Sequence, residues 1–223
     1  MKYTSVLIGL LFVGLGRSGG WTESRLCGAE IVVPVTWWCA GDDEEAKRNV
    51  RWRSEKIRSF FTPVVDRGRV FVGGVVRDRE QAAMVSLAGE DGRLLWEADH
   101  LLFAAPALYA QSGCSKPTVD GDRAFYQTQR GELIAVDLDG LADGNDGPNR
   151  DEEAVGPTGA DIVWKMDFGE RFKIFMEDDV TAGDPVASPV VIDDLVIAVT
   201  GHGKPRGTAD YDPKPPSLVA VDK

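Results

Sequence analysis

From Pro63 onward, apolar and polar positions alternate in short runs. In Gly68 to Gly74 (GRVFVGG), Val70 and Val72 face one way, and Arg69 and Phe71 the other. In Glu132 to Leu138 (ELIAVDL), Leu133, Ala135 and Asp137 share one face, and Ile134, Val136 and Leu138 the other. A period of two built on β-branched residues predicts strands. Between these runs sit Asp66-Arg67-Gly68, Asp120-Gly121-Asp122 and Asp193-Asp194. Asp and Gly tolerate the positive φ of tight hairpins, so each of these is expected to be a turn. No stretch carries the 3.6-residue period of a long helix; the pattern allows a short one over Asp78 to Ala83.

The runs repeat. The first copy is PVVDRGRVFVGG (Pro63 to Gly74), then MVSL (Met84 to Leu87) and GRLLW (Gly92 to Trp96). The second is PTVDGDRAFYQT (Pro117 to Thr128), then LIAVDLDG (Leu133 to Gly140) and DIVW (Asp161 to Trp164). The third is PVVIDDLVIAVT (Pro189 to Thr200), then LVAVDK (Leu218 to Lys223). Each reads strand, turn, strand, gap, strand, turn, with a last strand ending in Trp. A repeat unit of this size cannot bury its apolar face alone and must stack on its neighbours. The expected fold is therefore all-β: a partial β-propeller of about three four-stranded blades. NVRW (Asn49 to Trp52) matches the last strand of a blade, which places Trp52, Trp96 and Trp164 at equivalent positions. A side chain that buries about 150–250 Å² suits the seam between blades. The two insertions, Leu141 to Ala160 and Gly201 to Pro216, are expected to be loops on one rim, where repeat proteins commonly bind.

Composition narrows the function classes. The chain has 223 residues, is 43% hydrophobic, and contains 25 Gly and 12 Pro, which suits short strands joined by turns. Its net charge of −11 excludes a bulk affinity for nucleic acid or anionic lipid. Lys2 followed by the apolar run Val6 to Leu15, with Gly14 and Gly16 ahead of a cleavage point near Arg17, resembles an export signal. That run is too short to span a bilayer comfortably, so no transmembrane segment is expected in the mature chain. The domain reading is 1–16 as signal peptide, 17–48 as an N-terminal segment and charged linker, and 49–223 as the repeats. In an exported protein Cys27 and Cys39 can pair and leave Cys114 single.

Candidate chemistry is sparse. Asp137, Asp139, Asp143 and Asp146 form an acidic run, D-x-D-G-x-x-D-G-x-D. Calcium takes several oxygen ligands from flexible loops, so Asp139, Asp143 and Asp146 are the candidate metal ligands, with a solvated acidic loop as the alternative. His100 and His202 have no partners at a readable spacing and read as structural or solvent-facing. No nucleophile elbow, phosphate-cradling loop or metalloprotease motif is present, and no catalytic residue is assigned.

At AVDLDG, VAVDK and GEDGRLLW the chain resembles the PQQ-like (pyrroloquinoline-quinone-like) repeat proteins, whose repeat reads A-x-D-x-x-T-G-x-x-x-W. The run from Asp137 to Lys223 is similar to exported planctomycete propellers that are likened to BamB, and the resemblance extends over about Asn49 to Lys223. It implies the quinoprotein alcohol dehydrogenase-like propeller fold, a ring of seven or eight blades, and a sequence that stops short of the ring. For function it implies a non-catalytic, exported binding or scaffold module. Such a module would meet an envelope protein or outer-membrane component, in the periplasm or outside the cell, through its loop rim or a blade edge. Two alternatives remain: a periplasmic dehydrogenase using PQQ and calcium, and a truncated fragment without function of its own. The dehydrogenases of this fold use adjacent cysteines, a calcium site, an Arg and an Asp base. This chain has no Cys-Cys pair, and none of its residues is assigned to those roles.

Overall fold

The computed structural model describes residues 50–59, 62–76, 81–101, 113–150, 156–174, 187–200 and 214–223. The expected export signal, the 17–48 segment, Cys27, Cys39 and His202 lie outside the described residues. The chain divides into two compact units, Met1–Arg53 and Ser54–Lys223. In the first, Val50 to Arg53 form no strand. The strand expected at Asn49 to Trp52 is thus not seen at its described positions.

The second unit holds three antiparallel sheets. The first blade contains β1 (Ile57–Arg58), β2 (Val64–Asp66), β3 (Arg69–Val76), β4 (Gln81–Ala88) and β5 (Leu94–His100). Its path is β1-β3-β4-β5, with β2 also pairing β3. The second blade is a four-stranded meander of β6 (Thr118–Asp120), β7 (Arg123–Gln127), β8 (Glu132–Asp137) and β9 (Ile162–Asp167). The third consists of β10 (Val190–Ile192), β11 (Leu195–Val199) and β12 (Leu218–Asp222). Apart from β1, which pairs β3, consecutive strands within a sheet pair, so each repeat is one blade and the chain is part of a β-propeller.

The turns form where Asp and Gly predicted them. In the first hairpin Asp66 pairs Arg69, and the two-residue loop between them, Arg67 and Gly68, has positive φ at both positions (46° and 72°). That is the type I′ geometry, whose twist matches that of the flanking strands. The second and third hairpins place Gly121 (φ 63°) and Asp193 (φ 52°) first in their loops.

Two expectations are corrected. Gln81 to Ala83 open β4 rather than ending a helix, because Ala82 pairs Val75 and Gln81 pairs Val76 along an eight-residue ladder. Pairing overrides the helical preference of small residues here. The last strands also do not end at Trp: Trp96 and Trp164 are each third in their strands, and β5 and β9 run on to His100 and Asp167. A short helix, α1 (Phe168–Phe172), follows β9, with the Asp167 side chain accepting from the Glu170 N–H at 2.9 Å.

The core lies in the seams. Phe71, Met84, Trp96 and Ala98 of the first blade pack against Ala124, Tyr126, Ile134, Val136 and Leu138 of the second. On the other face of the second blade, Phe125, Leu133, Ala135 and Val163 pack against Val196 and Ala198 of the third. The alternation read in ELIAVDL is the division between these two seams.

Candidate functional site

The first candidate is the acidic segment after β8. Leu138 O accepts from Trp96 Nε1 at 2.8 Å, and Arg69 donates to Leu138 O and to Asp139 Oδ1. The next residue, Gly140, has φ 63°, and a Cβ there would lie 2.7 Å from Trp96 Cδ1. The insertion then returns to the first blade. Gly159 forms a parallel bridge with Glu97, the Glu97 N–H donates to Thr158 O at 2.9 Å, and the Ala160 N–H donates to Glu97 O at 3.0 Å. The segment is a strap that ties the second blade to the outer strand of the first. The expected rim loop is therefore partly structural.

Within the strap, carboxylate oxygens of Asp137, Asp139 and Asp143 lie within 4.8 Å of one another. Sequence spacing put Asp146 in this group and left Asp137 on a strand end. The fold instead joins Asp137 to Asp139 and Asp143, while the Asp146 N–H donates to Asp161 Oδ2 at 2.7 Å. Asp137 Oδ1 accepts from the Asp139 N–H at 2.7 Å, an Asx-turn that brings the pair together. Burial raises the Asp137 carboxyl above its ordinary range; the Asp139 N–H opposes this, and Asp143, Asp139 and Asp161 add to it. These three carboxylates could offer oxygens to a hard cation such as calcium. The Arg69 guanidinium already neutralises one of them.

A quinone finds no fit among the described residues. Cys114 is single and buried, with burial pushing its thiol well above the usual range. Trp96, the largest flat surface near the carboxylates, is buried in the seam.

His100 closes β5 against the second blade. Its Nε2 lies 2.8 Å from the Tyr126 hydroxyl. Burial, and to a lesser degree Lys165, lowers its pKa to about 4. Both residues are buried, so the pair is a seam contact. The expectation of a structural role fits this geometry.

The second candidate is the third blade. Val190, Ile192, Leu195, Val199 and Leu218 are 40–61% exposed. The registers Val190↔Ile197, Ile192↔Leu195 and Val199↔Leu218 put them on one face with Ile197 and Ala220. The opposite face, carrying Val196 and Ala198, belongs to the second seam. Among the described residues β12 pairs on one side only, with β11.

Trp96 and Trp164 occupy the same strand register. Phe71 pairs Ser86 and Ser86 pairs Trp96; Phe125 pairs Ala135 and Ala135 pairs Trp164. The ring centroids lie 5.9 Å and 6.0 Å apart at 44° and 41°. In both blades the register shifts by one residue immediately beyond the small residue. Trp52 lies outside this pattern, in a segment without strand.

Residues 43–145 match the family described as outer membrane protein assembly factor BamB. Among solved structures the chain is similar to BamB from Moraxella catarrhalis, at 16% identity over 66% of this chain and 36% of that one, with a TM-score of 0.44. It is also similar to a europium-containing methanol dehydrogenase, at 17% identity over 61% of this chain and 19% of that one, with a TM-score of 0.36. The chain thus spans well under two thirds of either protein. No curated protein matches it. Antiparallel blades and a twice-repeated Phe–small–Trp register make the chain part of a β-propeller, similar over residues 43–145 to the PQQ-like repeat proteins.

Proposed function

We propose that this chain is an exported, non-catalytic propeller module that binds or scaffolds components of the cell envelope, in the periplasm or outside the cell. The observation that carries this reading is how the candidate chemistry is used. Arg69, Asp139, Trp96, His100 and Tyr126 all hold the seam between two blades. A surface built this way presents shape and edges to a partner. The export-like N-terminus and the match to an outer-membrane assembly factor support an envelope partner. No helix among the described residues is long and apolar enough to cross a membrane.

The test is capture by the full chain from envelope and cytosolic extracts side by side, with cell fractionation of the expressed protein. The expected result is enrichment of outer-membrane assembly components from the envelope extract alone, and recovery of the chain in the periplasmic or secreted fraction. Recovery of nothing specific, or a chain confined to the cytosol, overturns the proposal.

A further inference from the structure

Aspartate is followed by glycine at five places in this chain: Asp91–Gly92, Asp120–Gly121, Asp139–Gly140, Asp143–Gly144 and Asp146–Gly147. Each such step carries a latent reaction. The glycine nitrogen can attack the aspartyl side-chain carbon and close a five-membered imide, because no side chain on glycine blocks the approach. Closure requires the main chain to turn about the aspartate ψ until nitrogen and carboxyl meet. A fold permits that turn only where the step is loosely held. All five steps lie among the described residues, so the structure sorts them.

Four are held. The Gly92 N–H donates to Ala88 O at 2.8 Å, and Asp91 Oδ1 accepts from the Arg93 N–H at 3.0 Å. Asp120 closes β6 opposite Arg123, and its Oδ2 accepts from the Lys223 ammonium at 2.6 Å. Asp139 is held by Arg69, and Gly140 is buried against Trp96. The Asp146 N–H donates to Asp161, and a Cβ on Gly147 would lie 2.3 Å from Val163 O, so this backbone is pressed against β9. Asp143–Gly144 differs. Both residues are exposed. Gly144 has φ 143°, and nothing lies within 4 Å of a Cβ there. Among the described residues no hydrogen bond engages the Asp143 carboxylate or the Gly144 N–H.

We propose that Asp143–Gly144 is the site of spontaneous isoaspartate formation in this protein, and that its product is a surface substrate for a methyltransferase specific for β-linked aspartyl carboxylates. The Gly144 nitrogen bonds to Asp143 Cγ. The carboxyl C–OH bond breaks, and the hydroxyl leaves with the proton of the nitrogen as water. Water then opens the imide. Attack at Cγ restores aspartate. Attack at the main-chain carbonyl carbon breaks the original peptide bond and leaves the chain running through Cβ and Cγ, with the former main-chain carboxyl as a free branch. One water leaves and one returns, so no other reactant is consumed. The main chain gains one carbon between Gly140 and Gly159, where the strap is fixed on the first blade. The free carboxylate then sits directly on Cα, and the grouping of Asp143 with Asp137 and Asp139 is altered. This goes beyond the envelope-module reading and does not depend on it.

The test is prolonged incubation of the purified full chain in mildly acidic buffer, folded and, in parallel, unfolded in guanidinium chloride. Peptide mapping locates the product, because a protease that cleaves before aspartate does not cleave before isoaspartate. Labelling by an isoaspartyl carboxyl methyltransferase measures it. In the folded chain, isoaspartate should build up several-fold faster at Asp143 than at Asp91, Asp120, Asp139 or Asp146. In the unfolded chain the five steps should react at similar rates. Asp143→Glu, which would need a six-membered ring, should remove the label from the strap peptide and leave the other four steps unchanged. Equal rates at all five steps of the folded chain, or a faster step elsewhere, overturn the inference. So does the same ranking in the unfolded chain, which would make the preference one of sequence alone. The comparison of folded with unfolded chain needs no variant and stands even if Asp143→Glu fails to fold.

Discussion

A buried imidazole that keeps its pKa near 4 takes up its proton later in the fold than in the unfolded chain, where 6.5 is usual. Between those two values the unfolded state binds more protons, so His100 makes stability fall as pH drops from about 6.5 to about 4 and adds no further loss below that. The full effect is at most about 3.5 kcal/mol, taking roughly 1.4 kcal/mol per pKa unit over the shift from 6.5 to about 4. Asp137 works in the opposite sense: its raised carboxyl favours the fold as it protonates, so the parent chain shows the sum of both. The difference between the parent and His100→Gln isolates the imidazole. Urea unfolding at pH 7.5, 5.5 and 4 should show the parent losing about 2–3 kcal/mol more than the variant over that range. Equal pH slopes would mean that His100 is solvated in solution and that its contact with Tyr126 is not held.

At the scale of elements, the strap from Leu138 to Ala160 depends on how closely Gly140 approaches Trp96. Gly140 and Gly121 share φ 63°, but nothing lies within 4 Å of a Cβ at Gly121. Gly121→Ala therefore reports the left-handed backbone alone, about 1–2 kcal/mol. Gly140→Ala adds displacement of the indole and loss of its bond to Leu138 O, and should cost about 2 kcal/mol more than the control in unfolding followed by tryptophan fluorescence. Similar costs for the two would show that the strap does not hold the seam. The strands and turns of this region were legible because alternation and the Asp-Gly signals are local. The strap was not, because its grip on the first blade joins Glu97 to Gly159 and Arg69 to Asp139, residues far apart in sequence. Spacing chose Asp146, whose N–H the fold instead commits to Asp161, while a local Asx-turn brings Asp137 to Asp139. The helix α1 is only five residues long, too short for a period to register, although D-F-G-E at Asp167 to Glu170 carries its cap.

Across the whole described array, each blade is stabilised by the faces it shares. The second blade is packed on both sides, with Tyr126, Ile134 and Val136 in one seam and Phe125, Leu133 and Ala135 in the other. The third is packed on one side and exposes Val190, Ile192, Leu195, Val199 and Leu218 on the other. Arrays in which each unit touches only its neighbours open from the least covered end, and local opening there costs less than global unfolding. In dilute solution, amide hydrogen exchange should be slowest in β7 and β8 and much faster in β11 and β12. Protection of β12 equal to that of β7 would mean that the exposed face is already covered within the chain. The third blade would then be a closed unit, and its apolar face no site for anything else.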